Sequence, residues 1–198
     1  MPTGLRERKK AETRQAISAA ALELALAHGP GGVTVDAIAA AADVSPRTVF
    51  NYFATKEEAI LGVGPDGRAA VVLRLAERPP GEHPLTSLRE AMRSDDPAGA
   101  VSWRARARLA REHPQLQSAY IAGFTALEDD LTEVVAGRLG VDPVADPYPR
   151  LVVAVALAAL RVAVQNAIDV GQVDTVSDAV DRAFAVAATG FPTPRSAR

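Results

Sequence analysis

Apolar and polar positions follow a helical period along most of the chain. Ile17, Ala20, Ala21 and Leu24 recur at i, i+3, i+4 and i+7, which predicts an amphipathic helix from near Lys10 to His28. The cluster Gly29-Pro30-Gly31-Gly32 stops it. Two shorter stripes lie between Thr34 and Glu58. Ala37, Ile38, Ala41 and Ala42 mark the first, with Thr34 as its N-cap. Val49 and Phe53 are four apart and share one face of the second. Ser45 caps that helix, and Pro46 occupies the first helical position, where proline is tolerated. Thr55 opens a further helix through Leu61, and Glu58 three residues on makes a capping box. Gly62, Gly64, Pro65 and Gly67 then break it.

Further helices are expected at about Arg68–Glu77, Leu85–Arg93, Trp103–Glu112 and Pro114–Leu139. They are separated by Arg78-Pro79-Pro80-Gly81, by the turn Ser94-Asp95-Asp96-Pro97 and by His113-Pro114. Leu116, Tyr120, Phe124, Leu127, Leu131 and Val134 recur at alternating steps of four and three, a seam that faces other helices. After a proline-rich loop at Gly140–Pro149, the chain is apolar on nearly every side from Pro149 until Gln165 and is expected to stay helical to Val170. Such a helix must be covered all round. The closing helix, after Asp174-Thr175, repeats the pattern with Val176, Ala179, Val180, Ala183, Phe184 and Ala187. Small alanines on both helices allow close approach. A homodimer through helices 149–170 and 175–189, with two helices from each chain around a two-fold axis, is therefore expected. A monomeric core built from the same helices is the open alternative.

Composition agrees with an all-α fold. Hydrophobic residues make up 48% of the 198, but only 5% are aromatic, so the core is built mainly of alanine, leucine and valine. Without cysteine, neither a disulfide scaffold nor a thiolate metal site can form. The charged start MPTGLRERKK lacks the apolar centre of a secretory signal. The uncharged run Leu151–Leu160 is too short to span a bilayer and is followed by Arg161. No membrane partner is expected, and a cytoplasmic location is. The net charge of −2 disfavours nucleic acid only until its distribution is considered. In the first fourteen residues Arg6, Arg8, Lys9, Lys10 and Arg14 face only Glu7 and Glu12, while acidic residues gather later, at Asp95-Asp96 and Glu128-Asp129-Asp130. A solvated basic run would look the same when taken alone.

With Val49 and Phe53 turned inward, Arg47, Thr48, Asn51 and Tyr52 are left on the rest of a short, exposed helix. Two capped helices joined by Asp43-Val44 form the pattern of a helix-turn-helix, whose second helix enters the DNA major groove. Double-stranded DNA is the expected partner. From about Thr13 to Leu61, the stretches GVTVDAIA and SPRTVFNYFATKEE resemble the tetracycline-repressor (TetR) family of bacterial regulators. Beyond Leu61 the likeness is looser and rests on an all-helical body, the REHPQL turn and the two apolar closing helices.

The resemblance implies a homodimeric repressor of palindromic operators, released when an unknown small-molecule effector enters the body. It implies an N-terminal three-helix helix-turn-helix head (1–61) and a C-terminal helical ligand-binding and dimerisation body (62–190), followed by a disordered tail (191–198). It also implies phosphate contacts from Thr34, Tyr52 and Lys56. Ser45, Pro46, Arg47 and Thr48 match the leading end of the recognition helix, and Phe50 and Asn51 match positions near thymine methyls, bases or backbone. Burial of Phe50 beside Phe53 is the competing reading for that ring. The Gly62–Gly67 break departs from the family, in which this helix commonly runs on into the body.

No enzyme constellation is present. His28, His83 and His113 are far apart and sit at glycine or proline boundaries, which suits helix ends better than metal ligands. Gly62-Val63-Gly64-Pro65 lacks the lysine and strand of a phosphate loop, and Glu128-Asp129-Asp130 points in different directions on a helix. No cofactor or metal is expected. Met92, Trp103, Tyr120 and Phe124 are candidates to line a ligand cavity, with Arg104 or Arg106 as an anion partner; for each of the four taken singly, ordinary core is the stronger reading. Few charges lie on that lining, so a largely apolar ligand is expected. The rival reading is a helical small-molecule binder whose head is only scaffold.

Overall fold

Ten α-helices and one 3-10 turn, Pro30–Gly32, make up the regular elements of the computed structural model, which describes residues 3–62, 64–93, 97–170 and 176–190. No strand occurs among these residues. The expected turn at Ser94–Asp96, the Asp174-Thr175 cap and the tail 191–198 lie outside them. The helices are α1 (Thr3–His28), α2 (Val35–Ala41), α3 (Pro46–Tyr52), α4 (Lys56–Leu61), α5 (Pro65–Ala76), α6 (Pro84–Met92), α7 (Pro97–Glu112), α8 (Pro114–Leu139), α9 (Tyr148–Val170) and α10 (Val176–Ala188). Three expected boundaries shift by three residues or more, one of them at α7, which begins at Pro97, where proline suits the first turn, and not at Trp103. The first helix begins at Thr3 rather than near Lys10, because nothing in GLRERKK forbids helix. The glycine break is also narrower than expected: α4 ends at Leu61 and α5 already starts at Pro65, with Gly67 inside it.

The chain forms two compact units. The first comprises 1–69 together with 105–125, and the second 70–104 together with 126–198. Ala105–Thr125, the end of α7 and the start of α8, is therefore part of the unit that holds the helix-turn-helix.

In the first unit, α1 lays Ile17, Ala21 and Ala25 against Val33, Ile38, Val49, Phe53, Ala59 and Ile60. Leu109, Ala110 and Leu116 complete that core. On α2 the buried pair is Ile38 and Ala39, whereas Ala41 is exposed, so the stripe sits one position away from the expected one.

In the second unit α6, α9 and α10 pack on one another through Leu85, Leu88, Val153, Ala156, Leu160, Val180 and Phe184, among others. Helix α9 is long and apolar enough by length and composition to cross a membrane, which the ten-residue run alone did not indicate. It is nevertheless a core helix along one face, where Val152, Val153, Ala156, Leu157, Leu160 and Val164 are buried. Within one chain its cover is incomplete. Leu151 is 62% and Val162 48% exposed, and Ala158 between them also faces out.

One polar cluster locks the second unit. Arg138 of α8 donates to the carbonyls of Leu75, Arg78 and Pro79 and to Ser87 Oγ, satisfying acceptors left open at the end of α5. Arg78 Nε donates to Glu82 Oε2 at 2.8 Å, and Ser87 Oγ donates to the same oxygen at 2.7 Å. These bonds, Arg78 first, hold the Glu82 carboxyl down to about 2 from its ordinary 4.5. A carboxyl lowered in the folded state stabilises above its unfolded value, and that contribution is lost as pH falls from about 4.5 toward 2. Glu82→Gln should therefore flatten the fall of thermal stability across that window while leaving the neutral-pH side nearly unchanged in slope, as read by melts from pH 7 to 2.

Candidate nucleic-acid interface

The reading helix is built by its ends. Ser45 Oγ accepts the Thr48 N–H at 3.1 Å and lies 2.8 Å from Thr48 Oγ1, so the two hydroxyls share one hydrogen between them. The second hydroxyl hydrogen remains available to a phosphate or base. Pro46 fills the first helical position and Phe53 closes the helix with its N–H on the Val49 carbonyl. Val49 and Phe53 are 1% and 2% exposed, so they fix which face turns out. That outer face carries Arg47, Phe50 and Asn51, all exposed. Phe50 is 57% exposed, which removes its competing reading as a core partner of Phe53. Tyr52 is half-buried and rests its ring against the core of the first unit.

The turn before α3 holds Asp43 at φ +52°, the described non-glycine residue with a positive φ. Aspartate tolerates this left-handed conformation better than most residues, and it lets the chain reverse between α2 and α3. Thr34 Oγ1 accepts from Ala37 N at 3.1 Å, caps α2, and keeps its own hydrogen for donation. Thr55 Oγ1 accepts from Glu58 N at 3.1 Å; Glu58 Oε2 reaches back to the N–H of Ala54, one residue before the cap. The capping box is thus closed one residue earlier than its usual partner.

Lys56 differs most from its expected role as a simple phosphate contact. Its ammonium donates to Val33 O at 2.8 Å and to Pro30 O at 3.2 Å, binding the start of α4 to the turn after α1. Two of its three hydrogens are committed, and one is left for a phosphate.

Of the cavity candidates, Tyr120 and Phe124 pair on α8 with ring centroids 4.8 Å apart and planes tilted by 47°. Tyr120 also packs on the core of the first unit. Met92 and Trp103 are half-buried and belong to the second unit. Arg106, expected as an anion partner, instead donates within the first unit to Ile60 O and Ser18 Oγ. The sequence signal for that role was faint: Ser18 is a polar residue beside Ile17 on an otherwise apolar face. Among the described residues no group of three or more His, Asp or Glu could hold a metal.

Hydrogen bonds from a charged donor are worth roughly 1.5–3 kcal/mol each when both ends are held in the fold. Lys56→Met should accordingly lower unfolding stability by about 1–3 kcal/mol in denaturant titration of the DNA-free protein. An unchanged midpoint would show that the ammonium is not bound to the turn in solution.

Residues 17–61 match the family model of bacterial regulatory proteins, tetR family, and residues 82–192 match the MftR C-terminal domain. The chain is 38% identical over 169 residues to the HTH-type transcriptional regulator TcmR of Streptomyces glaucescens, covering 80% of this chain and 74% of that one. It is 29% identical over 140 residues to the MftR regulator of Mycobacterium tuberculosis, covering 67% and 69%. A TetR-family regulator from Mesorhizobium loti superposes with a TM-score of 0.53 at 19% identity over 90% of this chain and 95% of that one, a likeness of fold. Capped reading helix, matched head and matched body converge: this chain belongs to the tetR family of DNA-binding bacterial transcriptional regulators.

Proposed function

We propose that the protein is a cytoplasmic, homodimeric repressor that grips a palindromic operator and releases it when a small, largely apolar effector binds. It acts by binding and not by catalysis. The observation that carries this reading is α3 itself: a doubly anchored helix whose buried Val49 and Phe53 force Arg47, Phe50 and Asn51 outward. Arg47 is the single charge between Ser45 and Thr55, and its guanidinium suits the O6 and N7 acceptors of guanine. Phe50 offers an apolar face to a thymine methyl, and Asn51 offers an amide to a base or the backbone. Ser45, Pro46 and Thr48 set the leading end of the helix. Thr34, Tyr52 and the remaining hydrogen of Lys56 fit phosphates, which hold register without reading sequence.

Members of the family act as dimers. The dimer proposed for this chain is formed by α9 and α10. On α9, Leu151, half-buried Val155, Ala158 and Val162 fall at steps of four, three and four, one continuous apolar line. On α10, Ala185 and 46% exposed Val186 face out opposite the buried Val180 and Phe184. A second copy would cover what one chain leaves open. The effector reading is supported by membership of a family whose regulators take small-molecule effectors; within the second unit the half-buried Met92 and Trp103, and separately within the first the Tyr120–Phe124 pair, are candidates for apolar contact.

The direct test is a gel shift with the DNA upstream of the protein's own gene. Specific, salt-sensitive retardation is expected. Retardation that a random duplex competes away equally would favour a ligand-binding protein with a scaffold head. In the same assay Arg47→Ala should cost about 1–3 kcal/mol of discrimination at one base pair per half-site. A second variant, Leu151→Glu with Val162→Glu, should run as a monomer in analytical ultracentrifugation and lose operator binding. A dimer of unchanged affinity would exclude α9 from the interface.

A further inference from the structure

The glycine break between α4 and α5 encloses two arginines. Gly62 takes φ +65° and ends α4 in the left-handed conformation. A Cβ added to it would lie 3.1 Å from Arg106 Cζ and from Ser18 Oγ. A Cβ on Gly64 or Gly67 would lie 3.0 or 2.9 Å from Arg14 Nη2. The break is therefore closely packed: the positive φ of Gly62 favours glycine, and a Cβ at Gly64 or Gly67 would displace the tip of Arg14.

The arginines and Ser18 satisfy the carbonyls left open at the end of α4. Ser18 Oγ donates to Ala59 O at 2.9 Å, Arg106 Nε to Ile60 O at 3.2 Å, and Arg14 Nη2 to Gly62 O at 3.0 Å. Arg106 Nη2 also donates to Ser18 Oγ at 3.0 Å, tying α7 to α1. On its other side the Arg14 guanidinium stacks over the Phe53 ring, 4.9 Å from its centroid. Phe53 is the residue that closes the reading helix. Positive charge at a helix C-terminus is favourable, which supports both guanidiniums here. Burial, and next the charge of Arg14, lower Arg106 to about 10, so it stays protonated at neutral pH.

We propose that Arg14 and Arg106 are positioning residues for DNA reading: a two-arginine clasp that fixes the ends of α3 and α4 and makes the end of α7 part of the reading head. The inference rests on α3 being the DNA-reading helix. Its content beyond that is that operator affinity depends on where α7 holds Arg106, a residue placed on neither the DNA-facing surface nor the dimer line.

The test uses the full-length dimer. Wild-type protein first enriches duplexes from a random pool, and the enriched duplex and a scrambled one are then titrated by fluorescence anisotropy. Arg106→Met keeps the apolar stem and removes the donors. It should weaken the enriched duplex about tenfold or more while leaving the scrambled duplex within about twofold. Amide exchange across 46–53 should accelerate. Arg106→Lys, which restores one charged donor but not the fork, should recover part of the loss. Wild-type affinity in Arg106→Met overturns the proposal. So does an equal loss on both duplexes that tracks the unfolded fraction. If Arg106→Met does not fold, Ser18→Ala, which removes one hydroxyl of the clasp, decides by the same ratio. Failure of wild type to enrich any duplex would instead overturn the DNA-reading assignment and the clasp's role with it.

Discussion

The orientation of the helix-turn-helix's second helix depends on the burial of two side chains, Val49 and Phe53, by a helix only seven residues long. A helix of two turns is not stable alone, because nucleation is not repaid by so few hydrogen bonds. It persists because the Ser45 cap satisfies one end and Phe53 is pinned at the other, beneath Arg14 and within the core formed by α1, α2 and α4. The exposed face is then a consequence. Once Val49 and Phe53 point inward, the 100° step of the helix sends Arg47, Phe50 and Asn51 outward.

The division of the chain follows from the same economy of contact. The head's own three short helices and α1 do not close their core without Leu109, Ala110 and Leu116. A boundary drawn at Leu61 by motif separates what is read from what is not. A boundary drawn by packing places 105–125 with the head. The reading unit is consequently discontinuous in sequence, and α5, α7 and α8 each contribute residues to both units.

What the sequence made legible was local. Caps, proline at the first helical turn and period-3.6 stripes are short-range signals, and Thr34, Ser45 and Thr55 all cap as their positions require. The outward direction of Phe50 was undecided, since a ring next to a helix boundary fits either side until the core is assembled. The further partners of Lys56 were hidden for a different reason. Its spacing suits a phosphate, but the carbonyls of Pro30 and Val33 that bind it come from a turn more than twenty residues away. Arg14 and Arg106 were invisible as a pair because α1 and α7 meet at Gly62 only in three dimensions. The glycines there read as a break in the helix, whereas in the fold they are also close packing around guanidinium groups.

That inversion bears on how a ligand could reach the DNA. A hinge at Gly62–Gly67 would decouple the head from the helix that follows it. A slot filled by Arg14 and Arg106 does the opposite, since shifting α7 must either move the end of α4 or leave buried donors and carbonyls without partners. Each lost charged hydrogen bond is worth roughly 1.5–3 kcal/mol, comparable to a typical allosteric coupling of about 1–3 kcal/mol. In a proposed dimer both heads carry such a clasp and must dock together on a two-fold operator. Under the proposed clasp, a misplacement too small to unfold either head would act at both half-sites of a two-fold operator at once.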